Sequence, residues 1–161
     1  MDIREPTVTY VPPGEGEALW FVGQLITYKV RGDGEDVTIF ELTVGPYGGA
    51  PAHKHRTQDE THYILEGQFT FVCGDRTINA NPGSVVHVPR SVCHAFTNLG
   101  PKPGRILFIA THPGPLERFY DEAGEPATDR SAPPAHRVDM EKILAIARRT
   151  GGLELVPPGE K

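Results

Sequence analysis

Hydrophobic and polar positions alternate along much of this chain over short stretches. From Val37 to Val44, Phe40, Leu42 and Val44 fall on one face and Ile39, Glu41 and Thr43 on the other. That period of two predicts a strand with one side buried. Between Glu17 and Val30 apolar and β-branched residues dominate (Leu19, Trp20, Phe21, Val22, Leu25, Ile26, Tyr28), and Gly23 interrupts them. One or two strands broken at that glycine are expected. Further strands are predicted at 52–56, 60–66, 68–73, 75–79, 84–88, 93–98 and 104–111, each bounded by Gly, Pro, Asn or Asp. Short strands at regular spacing predict an antiparallel sandwich or barrel.

The ends of the chain read differently. Residues 1–15 are rich in Pro, Gly and Glu and are expected to form a loose arm, and Arg31 to Asp36 form a turn cluster. Leu116 to Ala123 suit a short helix ending at Gly124, and a linker rich in Pro and Ala follows at about 125–137. Asp139 is a suitable N-cap for a helix from Met140 to Thr150, closed by Gly151 and Gly152. Its apolar stripe, Ile143, Leu144, Ile146 and Ala147, is expected to pack on the barrel. The organisation expected is an arm at 1–15, a barrel at 16–112 and a C-terminal helical extension at 113–161.

Composition supports this. A length of 161 residues suits one domain, and 38% apolar residues with 18 Gly and 16 Pro favour strands and tight turns over a helical bundle. The net charge of -5 provides no basic surface for nucleic acid or an anionic membrane. No apolar run approaches the roughly 18 residues needed to cross a bilayer. The N-terminus lacks a secretory signal, so a soluble, cytoplasmic protein is expected. Cys73 and Cys93 lack CxxC spacing and are expected to be reduced and packed, with Cys93 beside His94.

The chemistry concentrates in histidines and one glutamate. His53 and His55 are separated by one residue, so on a strand they share a face about 6.5–7 Å apart. Two imidazoles there can converge on one ion at roughly 2.0–2.2 Å each. Glu60 follows after Arg56-Thr-Gln-Asp, an odd offset that requires a turn or bulge between them. Gly83 and Pro89 bracket a strand and a turn, after which His94 begins another strand.

These residues resemble the two motifs of the cupin family. The first, G-x5-HxH-x3,4-E-x6-G, is matched by His53, His55, Glu60 and Gly67, while Tyr47 stands at the opening glycine with Gly48 and Gly49 beside it. The second, G-x5-P-x-G-x2-H-x3-N, is matched by Gly83, Pro89, His94 and Asn98, with Ser91 at the turn glycine. A looser resemblance, from about 14 to 158, is to the quercetin 2,3-dioxygenase-like branch of single-domain cupins. The resemblance implies an all-β double-stranded β-helix, a jelly-roll barrel with a metal near its mouth. It also implies that His53, His55, Glu60 and His94 hold one divalent transition metal, and that the chain pairs as a homodimer.

Three imidazoles and a carboxylate leave open positions on a five- or six-coordinate ion, as a catalytic site requires. Iron, nickel, manganese, copper and zinc all suit such donors. An interior walled by Ile64, Val86, Val88, Phe96 and Phe108 suits a small aromatic or enolic ligand. Three classes follow: an oxygen-dependent dioxygenase-like enzyme, which leads; a Lewis-acid cyclase or isomerase; and a binding module without turnover. Glu60 is expected to accept a proton from the substrate. His62, two residues on and so on the same face, is a candidate acid/base group, with packing as its alternative. His87 reads as structural, His112 and His136 as exposed, and Asn98 as a turn residue. Glu66-Gly67 reads as a strand-ending turn, and Phe119 and Tyr120 as packing residues or a lid over the pocket.

Overall fold

The computed structural model describes residues 8–32 and 36–157. The first half of the expected arm (1–7) and the centre of the Arg31–Asp36 turn cluster (33–35) lie outside the described residues.

The segment around Gly23 forms two strands, β1 (Ala18–Phe21) and β2 (Gln24–Val30), joined by a two-residue loop. Both loop residues, Val22 and Gly23, have positive φ, the conformation that matches hairpin twist. Then come β3 (Val37–Val44), β4 (Gly49–Lys54), β5 (Glu60–Glu66), β6 (Phe69–Cys73) and β7 (Arg76–Ala80). The run closes with β8 (Val85–Val88), β9 (His94–Asn98) and β10 (Gly104–Thr111). Each expected strand is present, with ends displaced by a few residues; β4 starts at Gly49 rather than 52. Gly49 is fixed there by proximity, because a Cβ on it would lie 1.9 Å from the Phe96 carbonyl oxygen.

The C-terminal part holds helix α1 (Gly114–Ala123), β11 (Glu125–Pro126), helix α2 (Met140–Thr150) and β12 (Glu154–Leu155). Helix α1 begins two residues before the expected Leu116, and Pro115 in its first turn lacks the N–H that would have no partner there. Asp139 caps α2 by accepting from Lys142 N–H at 3.0 Å, and Gly151 ends it in the left-handed conformation. The expected linker contains β11, paired with β1, and β12 adds to β4. Sequence alone indicates neither two-residue strand, because each is defined by its partner.

Two antiparallel sheets result, in the orders β11-β1-β2-β3-β10-β5-β8 and β12-β4-β9-β6-β7. This is the double-stranded β-helix expected. Phe40, Leu42 and Val44 are buried, as the alternation requires, alongside Ile64, Phe69, Phe71, Phe96, Ile106 and Phe108. A second cluster joins α1 to α2 through Phe119, Ile143, Ile146 and Ala147. The stripe of α2 thus packs against α1 as well as the strands. Asn98 is buried and donates to the carbonyls of Val44, Gly45 and Lys102 at 3.2, 3.1 and 2.8 Å. Its side-chain oxygen accepts from Gly100 N–H at 3.0 Å, so it acts as a structural clasp.

Candidate metal centre

Three strands deliver the four residues. His53 lies on β4 and His55 just past its end, so the i, i+2 relation holds. The polar stretch to Glu60 turns as required, and Glu60 opens β5. His94 opens β9 and is the register partner of His53, their ring centroids 4.2 Å apart.

The two motif turns are clasped together. Ser91 N–H donates to His55 carbonyl oxygen at 2.7 Å. Arg90 grips Asp59 with its backbone N–H, Nε and a terminal nitrogen at 2.8, 3.0 and 2.7 Å. The loop carrying Glu60 and the loop leading to His94 therefore hold a fixed relation.

All four side chains are buried, and one donor atom from each lies within 4.8 Å of the others. The Nδ1 atoms of His53, His55 and His94 lie 2.8, 2.6 and 3.1 Å from the carbonyl oxygens of Pro51, Gly152 and Val92. Each Nδ1–H donates outward, which leaves each Nε2 facing the common centre. Outward bonds of this kind orient metal-binding imidazoles and fix their tautomer. His94 Nε2 stands 2.9 Å from Glu60 Oε2, yet both atoms are buried without a well-formed hydrogen bond. Two lone-pair atoms at that distance repel unless a cation lies between them. The donor set and these two orphaned atoms fit a divalent metal ion.

Burial, with His94 and His55 nearby, pushes the His53 imidazole down to about 3, so it stays a neutral donor. Burial disfavours charge on Glu60 and His55 alike. Their mutual attraction prevails, holding the Glu60 carboxyl well below the usual carboxylate range and raising His55.

His62 points inward beside Glu60, its Nε2 4.0 Å from Glu60 Oε2. Its ring sits among Phe71, Phe108 and Phe96 at centroid distances of 5.1, 4.9 and 5.9 Å, and its Nδ1 is buried without a well-formed partner. Burial pushes it down to about 4, so this imidazole is neutral. A cavity of about 100 Å³ opens onto His53, Glu60 and His62. Phe96 and Phe108 line it as expected, whereas Ile64, Val86 and Val88 belong to the core alone. Phe119 and Tyr120 also line it, which gives them more than a packing role.

The remaining candidates fall outside the cluster. His87 is exposed and shares a hydrogen bond with the Thr61 hydroxyl; His112 and His136 are exposed. Cys73 and Cys93 are free thiols, and Cys93 is not among the four donors.

The Cupin domain family model matches residues 40–110, the span that carries all four donors. Those residues form a cupin domain. Its similarity to quercetin 2,3-dioxygenase of Bacillus subtilis is 30% identity over 130 residues, which is 78% of this chain and 37% of that enzyme. An uncharacterised protein of Methanocaldococcus jannaschii is 31% identical over 61 residues, 38% of this chain and 49% of that one. The chain thus spans less than half the length of either relative. Among solved structures, KdgF from Halomonas superposes with a TM-score of 0.57 at 17% identity, covering 65% of this chain and 94% of that one. A predicted oxalate decarboxylase from Thermotoga maritima gives 0.58 at 17% identity, covering 63% and 97%. At such identities these two support the fold alone. Among the described residues no helix is long and apolar enough to cross a membrane.

One contributor escaped sequence reasoning. The Gly152 carbonyl is a backbone atom whose role leaves no side-chain signature. Tyr120, expected to pack or to cover the pocket, lines the cavity. Burial and the charge of Glu60 raise its pKa, which keeps it a proton donor.

Proposed function

We propose that this chain is a metal-dependent enzyme acting on a small aromatic or enolic substrate, with dioxygen as co-substrate. The observation that carries the reading is the set of three outward-tethered imidazoles and Glu60, of which His53 and Glu60 face an apolar cavity. His53, His55, Glu60 and His94 would hold the ion. A bound divalent metal supplies Lewis acidity and open positions for substrate and oxygen.

The chain's own residues do the rest. Phe96, Phe108 and Phe119 exclude water and stack on an aromatic ring. Glu60, ionised and without a full complement of partners, takes the proton from the substrate's hydroxyl. Neutral His62 beside it relays or returns that proton. The Tyr120 hydroxyl donates a hydrogen bond to the substrate's oxygen.

A Lewis-acid cyclase or isomerase is the second reading. Glu60, His62 and Tyr120 suffice to move protons without oxygen, and that favours it. The deciding experiment is metal analysis of the purified protein, followed by oxygen-electrode assays on phenolic and enolic compounds. Oxygen uptake matched to product supports the dioxygenase reading; undiminished anaerobic turnover replaces it with the second.

A further inference from the structure

The three imidazoles are not tethered alike. His53 and His94 donate to carbonyls two residues back on their own strands, Pro51 and Val92. His55 donates to Gly152, 97 positions away, at 2.6 Å. Its orientation therefore depends on how the C-terminal segment docks.

That segment also walls the cavity. Met140, Ile143 and Leu144 of α2, with Leu153 and Leu155 beyond it, line one side. β12 holds it to β4: Leu155 is the register partner of His53, and Val156 N–H donates to Ala52 carbonyl oxygen at 2.9 Å. Glu154 pairs with Lys54 at 3.2 Å and Arg56 at 2.8 Å. The turn is pressed onto α1, since a Cβ on Gly152 would lie 2.4 Å from Phe119 Cβ and 2.6 Å from the Pro115 carbonyl oxygen. About 100 Å³ is small beside the roughly 300–1,000 Å³ of ordinary ligand sites. A substrate with an aromatic ring would need this wall to move in order to enter.

We infer that Gly152 is a positioning residue of the metal centre, and that residues 140–155 form a strap coupling cavity closure to metal affinity. The inference rests on the metal reading above. With the strap docked, His55 is held with Nε2 facing the centre. With it lifted for substrate entry, His55 loses its tether and the ion is held more weakly. Such coupling is reciprocal, so a bound metal must tighten the strap.

The test uses the full chain with Ni²⁺ as probe, measuring affinity by chelator competition and strap docking by amide hydrogen exchange. Gly152→Ala cannot seat its methyl group and is expected to lower affinity roughly 10- to 100-fold, the usual effect of losing such a tether. Glu154→Lys turns attraction to Lys54 and Arg56 into repulsion at an exposed position, and is expected to lower affinity several-fold. It decides the question if Gly152→Ala fails to fold. Saturating Ni²⁺ is expected to slow exchange at the Val156 amide by roughly tenfold. Wild-type binding with both variants within twofold, and exchange unchanged by metal, overturns the strap alone. A wild-type chain that binds no divalent metal overturns the metal reading and the strap with it.

Discussion

His55 Nε2 lies 2.8 Å from Glu60 Oε1, with both side chains almost wholly buried. Burial works against charge on either group, but each stabilises the other, so His55 is raised and Glu60 lowered. In the metal-free protein both directions favour an imidazolium–carboxylate pair, with one proton on the ground a cation would take. Metal binding must displace it. Below the His55 pKa, affinity is expected to rise about tenfold per pH unit, levelling off above it. Chelator competition between about pH 5 and 8 checks this. A flat profile throughout would show that no proton is displaced.

Glu60→Gln preserves shape and one oxygen donor while removing charge and basicity. Partial metal retention is expected, with turnover lower by roughly 10²-fold or more, the scale of general-base removal. Metal content and rate measured on one preparation separate the roles. Losses in equal proportion would leave Glu60 a ligand and nothing more.

The cluster of candidate donors was legible because its spacing is dictated by strand geometry. His53 and His55 share a face by parity, and the alternation Glu60, His62, Ile64 buries each of the three. The two departures from the family motif are equally instructive. Tyr47 and Ser91 stand where glycines are usual, and both have positive φ, 55° and 66°. The turn geometry survives the change of residue. Contacts across the chain were beyond sequence reasoning. Gly152 reads as the end of a helix until docking brings its carbonyl to His55.

Ser91 supplies a direct test of that turn. Its left-handed backbone costs a side chain about 1 kcal/mol, and Ser91→Gly relieves this while freeing the unfolded chain. The two effects oppose each other, so stability is expected to stay within about 1 kcal/mol of wild type. Ser91→Val is expected to lose about 2 kcal/mol, because β-branching is poorly tolerated there. Urea denaturation of both variants measures the difference. Equal stability of the two would mean that the turn relaxes to another conformation.

His62 is the most exacting case, since its surroundings suit packing and catalysis alike. Three phenylalanine rings surround it, so a phenyl group fits the site in character. Its Nδ1 is buried without a well-formed partner, and removing such a group together with its polarity is close to neutral for folding. His62→Phe is therefore expected to keep metal content and to change stability by no more than about 1 kcal/mol. A neutral imidazole 4.0 Å from Glu60 is nonetheless placed to pass a proton between carboxylate and substrate. Loss of that relay is expected to lower turnover by roughly 10²-fold at constant metal occupancy. Single-turnover rates with metal quantified on the same sample make the comparison. Unchanged turnover in the metal-loaded variant would return His62 to the core as a packing residue and leave proton transfer to Glu60 and Tyr120.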